Sequence, residues 1–461
     1  MLAYLSKTPG IGGTIKSVPE DFLVEEIQED GTVLGLGSPV FSSEGTGELV
    51  PKGHMVSRPD QPGRFVHFVL QKNNWSTSSA LSEIADRLRM NPRYLNAAGN
   101  KDKTAITTQL ASVMGASKEA VLALNIKDIK INGAWTAPDK VRMGALLGNR
   151  FTIKIQDTKA DANADTDTSE REGGFVGVVG ERVNLIFGEL GGLFPNYFGE
   201  QRFGSARKNT AQIGEMILRD GFEDAVRLFL CGVEGETNEE ARLARMQLAE
   251  TNDYARALSY FPKNLKLERS MLDYLAKKQD YPGALKQLPR NILLLFIHAF
   301  QSEMFNQLLS ERIKESERDG SGFGGGERGI GFVGGTSGET VRGNVGLVLE
   351  RGEYYCGETL GFPDINKTEA EGWIAGKIIG YETPLNAREE ALLEKLNIQK
   401  ELFRLKSLPE IASRGTYRTL LAPMKDFNFN SDSCVFRFSL PAGAYATVAM
   451  REFTDAKGTV L

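Results

Sequence analysis

The chain has 461 residues, room for two or three domains, and its 41% hydrophobic and 25% charged residues describe an ordinary globular protein. No stretch reads as the run of ~20 apolar residues that a bilayer span needs, and Met1 to Leu5 is too short for a signal-peptide core, so a cytoplasmic protein without a membrane partner is expected. The net charge of −5 excludes a generally basic nucleic-acid coat, and three scattered cysteines with three histidines that do not cluster beside them give no metal or disulfide pattern.

In chain order, Gly13 to Ile27 reads as two short extended pieces around a proline-led turn, with Phe22, Val24 and Glu26 alternating on one face. Gly31 to Gln61 is rich in Gly, Ser and Pro and reads as loop. Phe65 to Lys72 is apolar on both faces, an interior strand in which His67 is a sheet histidine rather than a ligand. Thr77 or Ser78 caps a predicted helix over Ser79 to Arg89, which carries Leu81, Ile84, Ala85 and Leu88 at helical spacing.

Next comes Ala98-Gly99-Asn100-Lys101-Asp102-Lys103-Thr104, ahead of a predicted strand from Thr107 to Val113. Gly99 and Asn100 are turn formers, with positive φ available to the glycine, and flanking lysines favour the ionised form of Asp102, which suits a nucleophile better than a proton donor. Lys103-Thr104 resembles the end of a phosphate-binding loop, but Ala97 and Asp102 stand where its glycines belong. The Asn100 to Lys103 run resembles a guanine-reading loop, with Lys103 in place of the needed acid. A solvated charged turn is the alternative that local composition favours.

Ile126 to Ile131 is a predicted strand, and a glycine turn feeds another at Phe151 to Ile155. The stretch from Asp157 to Gly174 is polar and acidic and reads as a solvated loop. Asn209 to Lys314 is helical in character, with Gln301 and Asn306 suited to holding neighbouring loops. Two G-x-G-x-x-G matches between Gly320 and Gly335 lack the strand-to-helix setting of a dinucleotide site and read as loop, ahead of a strand-like Asn344 to Leu349. Arg414, Tyr417 and Arg418 form a basic turn, solvated or facing an anionic partner. A helix over Ala387 to Leu396, a strand over Val435 to Leu440 and a strand or helix over Ala444 to Glu452 follow.

Several of these segments together resemble the TruD-type tRNA pseudouridine synthases. Gly99, Lys101-Asp102, Ala105, Thr107 and Gln109 match G-x-K-D-x-x-A-x-T-x-Q, and Lys16 precedes Pro19-Glu20-Asp21-Phe22 as in the family's opening. Gly148-Asn149-Arg150-Phe151 matches G-N-x-F, Asn196 to Gly204 matches N-Y-F-G-x-Q-R-F-G, and Leu440 to Thr447 with Arg451-Glu452 matches the closing motif. The resemblance implies an α/β (α+β) fold: a catalytic domain on a mixed, largely antiparallel sheet, residues 1–193 and 421–461, interrupted by an inserted α/β TRUD domain at 194–420. It implies conversion of a uridine in tRNA, at position 13, to pseudouridine, without cofactor or metal, with tRNA as partner and no obligate protein partner. Asp102 would be the nucleophile, with Lys16, Lys101, Asn149 and Phe151 in support and the Phe151 ring stacked on the base. Lys103, Arg150, Arg202 and Arg207 are candidate RNA contacts. A non-catalytic tRNA-binding or folding protein on the same fold is the competing class.

Overall fold

Strand alternation shapes the larger sheet. In Phe22–Ile27 the residues Phe22, Val24 and Glu26 are buried while Leu23, Glu25 and Ile27 are only partly covered, so one face points inward. A computed structural model of the chain describes residues 2–38, 40–41, 56–57, 63–158, 174–204, 206–318, 354–356 and 373–455. The glycine-rich Gly320 to Gly335 segment, the strand-like Asn344 to Leu349, most of the acidic stretch (159–173) and Ser205 lie outside the described residues. Among the described residues, 5–194 and 422–455 form one unit, and 2–4, 195–318, 354–356 and 373–421 form another.

The first unit is built on an eight-stranded sheet in the order Lys425–Asn430, Val435–Pro441, Gly148–Lys154, Phe22–Ile27, Ile106–Met114, Phe65–Asn73, Ile129–Ala137, with Leu95–Ala97 added beside Ile106–Met114. Every pairing is antiparallel except Phe22–Ile27 against Ile106–Met114, so the sheet is mixed and largely antiparallel. Helix Thr77–Arg87 lays Ala80, Ile84 and Ala85 on Phe68, Leu70, Ala111 and Val113. Helix Ala446–Thr454 contributes Phe453, which meets Phe436.

Several local expectations are corrected. The cap of the first helix is Ser76, whose Oγ accepts from the Ser79 amide at 3.1 Å, and Thr77 turns into the core instead. The strand expected at Ile126 begins at Ile129, because Asp128 takes φ 62°, a left-handed turn conformation that interrupts an extended run. Gln156–Thr158 is not loop; it pairs with Gly12–Thr14. Gly174–Leu190 is a helix that four glycines hide from a propensity reading, yet Val179, Val183, Ile186 and Leu190 recur at helical spacing and are fully buried.

The second unit is mainly helical, from Thr210–Leu218 through Arg290–Arg318, with a three-stranded sheet of Tyr354–Cys356, Trp373–Ile378 and Thr416–Thr419. Its Arg290–Ser316 helix is, contrary to the reading of the sequence, long and apolar enough to cross a membrane; two-thirds of its apolar window (67%) is buried inside the protein, as a core helix should be. Gln301 on that helix donates to the Ile379 carbonyl at 2.6 Å, and Asn306 exchanges two hydrogen bonds with the Phe198 backbone. Arg418 is neither solvated nor open to RNA. It is buried, donating from Nε to the Asn196 carbonyl at 2.8 Å, with its guanidinium 4.2 Å from the Phe198 ring centroid.

Candidate active site

The site begins with a break in the sheet. Phe22–Ile27 pairs with the long Ile106–Met114 strand only as far as Thr108, and Leu95–Ala97 takes over the same edge at Ala111. Between them the Leu110 amide has no strand partner on that side, and a buried N–H left unpaired is costly. Glu26 fills the gap: Oε1 accepts from the Leu110 amide at 2.9 Å, and Oε2 accepts from Lys101 Nζ at 2.7 Å. The Lys101 and Glu26 side chains are almost completely buried, 4% and 1% exposed, so the charges compensate each other inside the protein.

The chain leaving this gap, residues 98–105, carries Asp102, and polar side chains hold it from behind. Gln109 Nε2 donates to the Gly99 carbonyl at 3.0 Å, and the Lys101 amide donates to Thr77 Oγ1 at 3.0 Å. Gly99 does not use the positive φ open to a glycine. Lys72, at the end of its strand and with no exposed surface, donates to the carbonyls of Asp102 at 2.7 Å, Trp75 at 2.6 Å and Lys101 at 3.4 Å. Burial pushes Lys72 down to about 8; the Asp102 carboxylate pulls it back up, and Lys101 lowers it further.

Lys16 Nζ donates to Asp102 Oδ2 at 2.7 Å, with side chains 17% and 23% exposed, so the pair is reachable from solvent. Lys16 holds φ 62°, a left-handed conformation unusual for a residue with a side chain, and its ammonium lies 4.0 Å from the Phe22 ring centroid. Phe22 meets Phe151 edge-on at 5.9 Å, and Phe151 meets Phe438 at 5.8 Å. Gly148, which opens the Phe151 strand, must be glycine because a Cβ there would run into the Leu440 carbonyl oxygen.

The structure therefore brings Lys16, Lys101 and Asp102 together beside the Phe22 face of the sheet. Asn149 and Phe151 point to that same face, paired across the ladder with Glu26 and Val24. Phe151 is 6% exposed, with its ring packed between those of Phe22 and Phe438. Asn149 Oδ1 and, two strands across, Thr107 Oγ1 are buried and have no hydrogen-bond partner among the described residues.

The candidate RNA contacts separate. Lys103 is exposed next to Asp102. Alternation puts Arg150 on the opposite face from Asn149 and Phe151, where it pairs with Glu25 at 2.6 Å. In the helical unit Arg207 donates to the Phe229 carbonyl at 2.7 Å and faces Glu268, and burial together with Arg245 lowers its pKa. Arg202 is half-buried, donates to Ser302 Oγ at 3.1 Å and lies 5.4 Å from the Phe198 ring centroid; Glu200 pairs with Lys208.

Glu26, Lys72, Thr77 and Gln109 complete the site; Gln109 stands in the motif that carries the resemblance, and Glu26 and Lys72 carried a signal, each being a charged residue in line with buried strand positions. Among the described residues no group of three or more His, Cys, Asp or Glu is placed to hold a metal ion.

The family profile described as tRNA pseudouridine synthase D (TruD) matches residues 1–320 and 363–453. Proteins named "Probable tRNA pseudouridine synthase D" are similar along nearly their whole length. The one from Thermococcus sibiricus is 32% identical over 97% of this chain and 96% of its own. The one from Thermococcus onnurineus is 34% identical over the same shares, 97% and 96%. The crystal structure of a candidate tRNA pseudouridine synthase D from Methanosarcina mazei shares the fold, with a TM-score of 0.63 at 24% identity, covering 98% of this chain and 95% of that one.

Proposed function

The chain belongs to the TruD family of tRNA pseudouridine synthases, isomerases of tRNA uridine, and we propose that its target is uridine 13 and that Asp102 is its nucleophile. The reaction is a rearrangement without net consumption: the N1–C1′ bond breaks, the uracil turns, C5 bonds to C1′, and the proton lost from C5 is balanced by one gained at N1. A carboxylate serves this by adding to C1′ or to the base ring and leaving again.

The observation that carries the reading is the Lys16–Asp102 pair at 2.7 Å, on a loop whose backbone is fixed by Lys72, Gln109 and Thr77. A fixed loop holds a reacting group in place without further ordering during the reaction. Thr107 Oγ1 and Asn149 Oδ1 supply hydrogen-bonding capacity that the described residues do not satisfy, which suits the polar edge of a uracil. The uridine has to leave its stack to enter, at a cost of a few kcal/mol.

Asp102→Asn is nearly isosteric and cannot act as an anionic nucleophile, so it should abolish pseudouridine formation at tRNA position 13 while leaving folding and tRNA affinity in place. Pseudouridine mapping on tRNA treated with purified protein reads both claims. Turnover by a deamidation-free Asp102→Asn preparation removes Asp102 from the role, and modification at another uridine replaces the target. A tRNA-binding protein without catalysis would leave tRNA unmodified by the wild type as well.

A further inference from the structure

The described residues expose few large apolar side chains, and several of them flank this site in the chain. Val18, 46% exposed, lies two residues after Lys16; Met143, at 70% the most exposed of them, and Leu147, at 46%, lie in the turn that precedes Asn149. Scattered apolar residues on a surface usually need no explanation. Met143 differs because its turn is firmly built. The Val141 amide donates to the buried Ser112 Oγ at 3.0 Å, and the Gly144 amide donates to the Ala98 carbonyl at 2.7 Å. The Leu147 amide donates to the Ile27 carbonyl at 3.0 Å, and its carbonyl accepts from the Ala442 amide at 2.9 Å. Gly144 takes φ 89°, a conformation that suits glycine, and the Leu146 side chain lies beside Gly99. A turn tied to both flanks of the sheet gap and to the start of the Asp102 loop holds Met143 out in solvent by construction, with the exposed Arg142 next to it.

Resting on the reading of the site as one that takes a flipped-out uridine, we propose that Met143 is the wedge that enters the RNA stack in place of the departing base, with Arg142 meeting an adjacent phosphate. An apolar side chain pushed between bases is a known way of holding a stack open. Methionine is well matched to this position because it is long, unbranched and polarizable, so it fills an irregular gap against base faces. A wedge on a rigid turn lowers the cost of keeping the uridine out without taking part in the chemistry, which makes Met143 a positioning residue.

The experiment uses full-length protein and a tRNA carrying 2-aminopurine beside the target uridine, whose fluorescence rises when its stacking is lost. Met143→Ala is expected to fold as the wild type does, since the side chain is exposed, and to bind tRNA within about threefold. It should lose most of the fluorescence rise and slow single-turnover conversion at least tenfold, and Met143→Leu should restore both. The proposal is overturned if Met143→Ala gives the wild-type fluorescence rise, if it converts tRNA within about twofold of the wild-type rate, or if Met143→Leu restores neither signal. Failure of the wild type to convert any uridine would overturn the reading of the site, whereas the fluorescence comparison would still decide the wedge.

Discussion

Replacing Lys72 by methionine separates what a buried charge does for stability from what it does for the Asp102 loop. The side chain keeps its length and apolar stem and loses its ammonium. Two short charge-assisted hydrogen bonds disappear, to the carbonyls of Trp75 at 2.6 Å and Asp102 at 2.7 Å. Bonds to a charged group contribute about 1.5–3 kcal/mol each, so the gross loss is roughly 3–6 kcal/mol. Against this stands the cost of keeping the lysine charged in the interior. A drop from 10.5 to about 8, which already sets the attraction of Asp102 against burial, leaves at 1.36 kcal/mol per unit a net cost of roughly 3 kcal/mol, and methionine removes it. The net destabilisation is therefore about 0–3 kcal/mol, and Lys72→Met should fold. Single-turnover conversion should nevertheless fall by about a hundredfold, the scale expected when a reacting group is misplaced by ~1 Å. The pH dependence gives an independent check with a defined sign. Between about 8 and 10.5 the unfolded chain holds a proton at Lys72 that the folded chain has released, so this group makes the wild type more stable as pH rises through that window. Unfolding curves from pH 7 to 10 should show the stability difference between the two proteins shifting in favour of the wild type as pH rises, whatever the other groups contribute to both. A folded Lys72→Met with the wild-type rate refutes the anchoring argument, and parallel stability curves for the two proteins refute the claim about its charge.

Glu26→Gln should cost about 3–5 kcal/mol in denaturant unfolding, because Lys101 is left charged, buried and without its anion; a loss below about 1 kcal/mol would mean that the pair is replaceable by hydrogen bonding alone. Arg202→Ala should make the log–log salt dependence of tRNA binding shallower by nearly one unit, about 0.7–0.9 for each phosphate no longer neutralised. Arg207→Ala should leave that slope unchanged and lower the melting temperature, since Arg207 is bonded to the Phe229 carbonyl; a shifted slope for Arg207→Ala would reverse its assignment.

The site was legible in the sequence where one short segment or a family motif carries it, and illegible where two distant segments create a need. The ion pair between Lys16 and Asp102 joins two motifs 86 residues apart, and the resemblance supplied both. The facing of Arg150 was readable from the period of a strand alone, since a residue between Asn149 and Phe151 must point the other way. The fates of Arg207 and Arg418 were not. An arginine reads as solvated until its partner is known, and Arg418 finds Asn196 across 222 positions of chain. Glu26 shows the difference most clearly. Locally it is a charged residue in line with Phe22 and Val24 on the buried face of an alternating strand, which marks it as unusual without saying what it holds. Its role arises only when Phe22–Ile27 stops short beside Ile106–Met114 and Leu95–Ala97 resumes the same edge, leaving the Leu110 amide without a carbonyl. A carboxylate meets that need with one oxygen and takes an ammonium on the other, so Lys101 is drawn in and the next residue, Asp102, is brought to the rim where Lys16 meets it.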